Sequence, residues 1–256
     1  MYRLKRSYLS LAVSLSICTY SHSLFAEQNF GATTFEEIVV YAQKREESIM
    51  DVPVAVSSYT SESINQAQIR DASDLQQLAP SLSVNSSTGS TDTSFTIRGI
   101  GTAGNNAGFE QSVGVFIDGV YRGRSAAALT DYFDLSGIEI LKGPQGTLFG
   151  RNTSAGVINV RTAQPEYDTN GTIEANIGSE NFKQLKGALT GALIEDELAY
   201  RFSGVWQKRD GIYENKFLNE DLANRNRYTL RGQLLWDIND AASVRVIADY
   251  TEVDER

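Results

Sequence analysis

The chain has 256 residues with 32 acidic against 23 basic side chains, a formal net charge of −9 and a single cysteine and histidine. This acidity argues against a nucleic-acid partner, because phosphate binding needs a basic face.

Residues 1–26 set Arg3, Lys5 and Arg6 before an apolar stretch over 8–20 and end in Ser23-Leu24-Phe25-Ala26, the pattern of a cleavable export signal. The stretch is shorter than the ~20 apolar residues of a spanning helix, and serines interrupt it. A lipoprotein signal at Cys18 is disfavoured by the bulky Ile17 before it. Removal of the signal takes away Cys18 and His22 and leaves a net charge of −12. A chain without His or Cys cannot build a Ser-His-Asp triad, a thiolate nucleophile, a His/Cys zinc site or a disulfide framework. The acidic residues are scattered over loops and strand ends and read as solvated surface. No catalytic residue, cofactor site or metal site is expected, and the chain is not read as an enzyme.

A polar lead then reaches Glu36, Glu37, Ile38, Val39, Val40, Tyr41 and Ala42. An acidic start before β-branched residues predicts an extended strand able to add to another protein's sheet edge. The polar run over 43–48 offers no matching hairpin partner.

Residues 51–56 read as a strand with Pro53 near its start, followed by a helix over 61–68. A second helix is predicted from Ser73, with Gln76 completing a capping box, Leu75 and Leu78 buried, and a stop ahead of Pro80. Residues 94–100 alternate Phe95 and Ile97 with Thr96 and Arg98. Val113, Val115 and Ile117 alternate next, and Asp118-Gly119 before Val120-Tyr121 predicts a hairpin, since both turn positions tolerate positive φ. Two apolar β-type runs within 138–162 flank a connection punctuated by Gly143, Pro144, Gly146 and Gly150. Residues 51–165 therefore form an α+β domain of ordinary size.

Beyond Pro165 the pattern changes to long alternating runs. Leu185, Leu189 and Leu193 share one parity; Tyr200, Phe202 and Trp206 oppose Arg201, Ser203 and Gln207. Tyr228, Leu230, Leu234 and Trp236 oppose Thr229, Arg231 and Gln233, and Val244, Val246 and Tyr250 oppose Arg245 and Asp249. Runs of this length with short turns at 195–197 and 239–241 and a long loop over 210–226 match lipid-out, lumen-in membrane strands. Five such runs cannot close a barrel, which needs about eight strands.

The wording FTIRGIG, VGVFIDGVYRGR and IEILKGPQGTLFGRNTSAGVINV resembles the TonB-dependent outer-membrane receptors. The resemblance implies an α+β plug domain followed by antiparallel transmembrane β-barrel strands, here an incomplete barrel. Its domains would be a signal peptide at 1–26, an extension at 27–50 with a TonB box at 36–42, a plug at 51–165 and about five barrel strands at 166–256. It assigns TonB binding to Glu37, Ile38, Val39, Val40, Tyr41 and Ala42, and makes Arg98 and Arg151 candidates for plug-to-barrel contact. Lys142 stands where the family often has arginine, keeping charge without bidentate geometry. The implied function is energy-coupled uptake of a scarce ligand, typically a ferric siderophore, across the Gram-negative outer membrane, with TonB and its inner-membrane energising complex and outer-membrane lipid as partners. With ten residues between signal and box there is no room for an extra signalling domain, and an end at Arg256 without a terminal aromatic reads as the N-terminal part of a receptor.

Two readings compete. A soluble periplasmic plug-like binding module would lack transport activity. A dinucleotide enzyme is suggested by Gly99, Gly101 and Gly104, but the chain continues there as loop instead of opening a phosphate-binding helix.

Overall fold

In the computed structural model the described residues are 39–86, 93–102, 110–123, 131–218 and 220–255. The export-signal segment 1–26, Glu37 and Ile38 of the expected TonB box and the glycine motif beyond Thr102 lie outside them.

The α+β domain is built on a five-stranded mixed sheet. Its strands are β3 (Ala55–Thr60), β7 (Val113–Ile117), β8 (Val120–Tyr121), β9 (Leu135–Lys142) and β10 (Gly156–Thr162), in the order β3-β9-β10-β7-β8. β10 pairs parallel with β7 and antiparallel with β9, so it lies in the middle of the sheet and is covered on both faces. That explains its continuous apolar run, GVIN followed by Val160, in which Val157, Ile158 and Val160 are buried. A three-stranded sheet of β4 (Leu82–Ser86), β5 (Thr93–Ile97) and β6 (Ile100–Gly101) stands beside it.

The two faces of the mixed sheet carry separate cores. Ile138, Ile140, Ile158, Val113 and Val115 pack with Leu75, Phe95 and Ile97 in the larger one. Leu141, Val157 and Phe116 on the other face pack with Val40, Ala42 and Val52. Fully burying one such side chain is worth roughly 1.5–3 kcal/mol.

Local expectations hold at some positions and shift at others. The Asp118-Gly119 turn forms, with φ of 49° and 79°, and joins β7 to β8. The expected strand at 51–56 starts only at Ala55, opposite Lys142, because Asp51 closes a turn onto Ser48. Helix α1 (Ser61–Gln66) is capped by the Thr60 hydroxyl, which accepts from the Ser63 amide at 3.3 Å, and ends before Gln68 at φ 52°. The expected capping box at Ser73 is absent: Ser73 is itself helical and makes no side-chain cap. Asp71 takes that role, accepting the Ser73 amide at 2.9 Å, ahead of a 3-10 turn (Asp74–Gln77) that buries Leu75. The connection after β9 includes a short helix, α2 (Gly146–Phe149).

The remaining long strands are β11 (Asn170–Ile177), β12 (Lys183–Ile194), β13 (Leu198–Arg209), β16 (Arg225–Asn239) and β17 (Ala242–Val253). They form one antiparallel meander in chain order, with β11 and β17 as open edges. A small hairpin, β14 (Tyr213–Asn215) with β15 (Glu220–Leu222), occupies the long loop. Among the described residues no helix is long and apolar enough to cross a membrane, which leaves strands as the elements to consider.

Candidate functional site

The segment leading into the plug is folded back onto it. β1 (Val39–Val40) pairs antiparallel with β2 (Glu47–Ser48), so a hairpin partner exists that local sequence did not reveal. Lys44 at φ 61° makes the turn, and Val40 and Ala42 are buried against Leu141 and Val157. Between them the Tyr41 amide donates to Glu139 Oε1 at 2.7 Å.

Glu139 is fully buried on β9 and has three donors. Besides Tyr41, Asn159 Nδ2 reaches its Oε2 at 3.2 Å, and Arg161 Nη2 lies 3.3 Å from Oε1. Burial pushes the Glu139 carboxyl above its ordinary range, against the opposing pull of Asn159 and Arg161. The Arg161 guanidinium also lies over the Tyr41 ring, 3.9 Å from its centroid, a cation–π contact. Val40 and Ala42 are therefore held by apolar burial and Tyr41 by one carboxylate, while Val39 stays half exposed.

A second set of polar contacts joins the plug to the five-stranded sheet. Along β13 and β16 the residues of one parity, including Ser203, Gln207, Arg227, Thr229, Arg231 and Gln233, are buried against the plug. Arg201 Nε donates to Asp134 Oδ2 at 2.8 Å, while its Nη2 bonds to Oδ1. Arg225 Nη2 donates to Asp71 Oδ2 at 2.9 Å. Arg227 lies 3.5 Å from Asp131 and donates to Glu255 Oε1 at 2.7 Å, and Gln207 donates to Asp131. Arg245 Nη2 donates to Thr162 Oγ1 at 2.8 Å and lies 3.5 Å from Asp118. Gln233 Nε2 donates to the Ala163 carbonyl at 3.0 Å.

Asp131 shows the cost of this arrangement. Its carboxyl is pushed up to about 6 by burial, which outweighs the attraction of Arg227 and Arg225. Its Oδ2 has no hydrogen-bond partner among the described residues.

The two arginines expected at the plug-to-barrel contact lie elsewhere. Arg98 is exposed in the β5–β6 turn at φ 53°. Arg151 is also exposed and pairs with Glu110 of the plug at 3.0 Å. Among the described residues neither touches the five-stranded sheet. Arg122 of the plug does, 3.4 Å from Asp249 of β17, and the other arginines that do, Arg201, Arg225, Arg227 and Arg245, belong to the strands. Their only sequence signal was arginine on the polar parity of an otherwise amphipathic run.

The opposite face of the sheet is apolar and open. Leu189, Phe202, Leu230, Leu234, Val246 and Tyr250 are 42–59% exposed in adjacent rows. A contiguous apolar face of this extent on a monomer marks a surface that meets something other than water. Among the described residues no group of three or more His, Cys, Asp or Glu side chains could hold a metal ion.

Comparison with known proteins agrees with this architecture. Residues 48–157 match the TonB-dependent Receptor Plug Domain. The pesticin receptor of Yersinia enterocolitica is 29% identical over 54% of this chain and 20% of its own length. The vitamin B12 transporter BtuB of Vibrio vulnificus is 25% identical over 94% of this chain and 38% of its own. Among solved structures, the ferric yersiniabactin uptake receptor FyuA from Yersinia pestis superposes with a TM-score of 0.72 at 24% identity, covering 77% of this chain and 31% of that one. The chain thus spans well under half the length of these relatives. Residues 48–157 thus carry a TonB-dependent receptor plug domain, and the antiparallel strands that follow it are similar in fold to those of the receptor FyuA.

Proposed function

We propose that this chain is the gated, N-terminal part of an energy-coupled importer of the Gram-negative outer membrane, exported by the signal at 1–26 and taking up a scarce ligand of the ferric-siderophore class. The observation that carries the reading is the two-faced sheet, with Arg201, Arg225 and Arg245 bonded to the plug on one side and exposed apolar rows on the other. A soluble module would gain nothing from an apolar outer face, whereas a membrane strand requires one. The ligand class follows the relatives, whose names describe ferric yersiniabactin uptake and a catecholate siderophore receptor.

In this reading residues 37–42 pair as an added strand with TonB. Because Val40 and Ala42 are buried beneath the plug, the segment must come away before it can pair. The plug then moves relative to the sheet, and no bond in the ligand is made or broken.

Cell fractionation tests the location. Recovery with outer membranes and resistance to carbonate extraction are expected; full recovery in the soluble periplasm would support the plug-like binding module instead. Ligand class is tested by fluorescence quenching of the chain with an iron-loaded catecholate, an iron-loaded hydroxamate and cyanocobalamin. Saturable quenching by a ferric chelate is expected, and a response to cyanocobalamin alone overturns the siderophore assignment.

A further inference from the structure

Lys183 opens β12 and Lys208 stands near the end of β13, and the two are paired directly across the ladder on the outward parity. Like charges in directly opposed positions on one face are destabilising. Both residues are exposed, and among the described residues neither ammonium has an ion pair or a hydrogen bond. The flanking strands supply no counter-charge, since Lys183 also faces Ile177 of β11 and Lys208 faces Asn226 of β16. Glu252, the outward carboxylate of β17, is engaged elsewhere, accepting from the Tyr228 and Tyr250 hydroxyls at 2.7 and 2.9 Å. Glu180 and Asp210 lie beyond the pair in the turn and the loop, and among the described residues neither forms an ion pair with the lysines.

Next to the pair the same face becomes apolar. Leu185 and Trp206 form the following outward pair, with Tyr228 beside Trp206. Aromatic side chains next to a cationic rim are the pattern of a membrane–water boundary. Further along lies a hollow of about 730 Å³, floored by Gly187, Gly204 and Gly232 and walled by Leu189, Phe202 and Leu230. It begins four residues from Lys183, or ~13 Å along the strand at ~3.3 Å per residue. With the tilt of such strands this depth lies within one leaflet, which is ~15 Å, half of the hydrocarbon core.

We infer that the Lys183-Lys208 pair and the hollow form one docking site for an outer-leaflet lipid whose headgroup carries a phosphate monoester. Two ammonium groups match the roughly −1.5 to −2 charge of a monoester better than the single charge of a phosphodiester. The phosphate seats between the lysines and relieves their repulsion, while an acyl chain of the same molecule passes Leu185 and Trp206 into the glycine-floored hollow. Glu252 repels the headgroup on the β17 side and confines it to β12 and β13. The site rests on the reading of this face as membrane-facing, with the long loop over 210–226 on the outer side.

Binding is read from the emission of Trp206 in the full chain in neutral detergent micelles, with Trp236→Phe removing the other tryptophan. Lipid A bearing two phosphate monoesters is expected to give a saturable shift. Phosphatidylglycerol and phosphate-free lipid A should bind at least tenfold more weakly, and inorganic phosphate should give no shift. Lys183→Gln combined with Lys208→Gln is expected to weaken binding of lipid A at least tenfold and to leave the phosphate-free form within twofold. Gly204→Leu, which fills the hollow, should weaken both forms alike. Equal affinity of the lysine variant and its parent for lipid A overturns the site, as does an unchanged affinity in Gly204→Leu. Should Gly204→Leu not fold, the lysine variant, altered only at exposed positions, still decides. Recovery of the chain in the soluble periplasm with lysine-dependent binding intact would sink the membrane reading and leave the site standing; recovery in outer membranes without such binding does the reverse.

Discussion

Arg201 of β13 closes a two-nitrogen fork on Asp134 at the edge of the plug, with Nε 2.8 Å from Oδ2 and both side chains largely shielded from solvent. Asp134 sits at φ 55°, so the plug backbone adopts an unfavourable conformation at the residue that receives the fork. Removing one partner of a shielded pair leaves the other charge uncompensated. Arg201→Met is expected to cost about 3 kcal/mol, and the double variant with Asp134→Asn distinctly less than the sum of the two single changes. Urea unfolding in detergent, followed by the tryptophans, measures this; strict additivity would show that the fork is not coupled.

Asp131 gives the plug-to-sheet contact a pH dependence of definite sign. It faces Gln207, Arg225 and Arg227 from the sheet, Asp71 from the plug and Glu255 from the chain beyond β17. Its carboxyl is raised from 3.8 to about 6 in the folded state, so the folded form holds a proton that the unfolded form has already lost. The resulting stability is present below pH 4 and is lost as pH rises through about 6. Relative to Asp131→Asn, the native chain should lose on the order of 3 kcal/mol between pH 4 and 7 and nothing further above that. Parallel curves for the two proteins would refute the assignment.

The proposal that residues 37–42 pair with TonB is tested by Val39→Pro and Val40→Asp. Proline at 39 removes a main-chain donor from the strand. It is expected to abolish capture by the TonB C-terminal domain. Val40 is fully buried against Leu141 and Val157, so an aspartate there should expel the segment from the plug and increase capture. If Val39→Pro binds TonB as the parent chain does, the pairing strand lies elsewhere.

These tests bear on different amounts of sequence information. The Asp118-Gly119 hairpin, the burial of Phe95 and Ile97 and the faces taken by β12, β13, β16 and β17 were legible because they depend on local turn chemistry and on a period of two. The β1–β2 hairpin was not legible. Residues 43–48 carry no apolar pattern, and Val40 is held by Leu141 and Val157, about a hundred residues away. The plug contacts were half legible: Arg201 and Arg245 fell on the polar parity, but nothing local points to Asp134 or Thr162 as their partners. Asp71 capped the 3-10 turn in place of Ser73 because tertiary contact with Arg225 fixes its carboxylate there.

The outward face predicts an asymmetry between neighbouring positions. Leu230 is 58% exposed among apolar residues, whereas the adjacent Thr229 is buried against the plug side. An arginine on the lipid face near mid-depth costs about 2–4 kcal/mol. Leu230→Arg should therefore reduce the fraction of chain recovered in outer membranes severalfold, and Leu230→Phe should leave it unchanged. Equal recovery of Leu230→Arg and the parent chain would mean that this face meets water.

Gly156 opens β10 at φ 153°, and a Cβ there would stand 2.3 Å from the Leu141 carbonyl oxygen and 2.7 Å from Ile97 Cδ1. The first neighbour is the backbone of the paired strand β9, which cannot retreat without breaking the register that also positions Glu139 and Lys142. The Lys142 ammonium donates to Ser57 Oγ at 2.7 Å, so a shift of β9 reaches β3 as well. Gly156→Ala is thus expected to destabilise the plug by at least 3 kcal/mol, through overpacking combined with a backbone conformation that L-residues avoid. Gly146, with open space around its own Cβ position, supplies the control: Gly146→Ala at the start of α2 should be neutral within about 0.5 kcal/mol. Urea midpoints for the two variants decide the matter. Because β9 carries Glu139, the Gly156→Ala chain should also lose protection of the Tyr41 amide, and retention of that protection would show that the segment is held independently of β9.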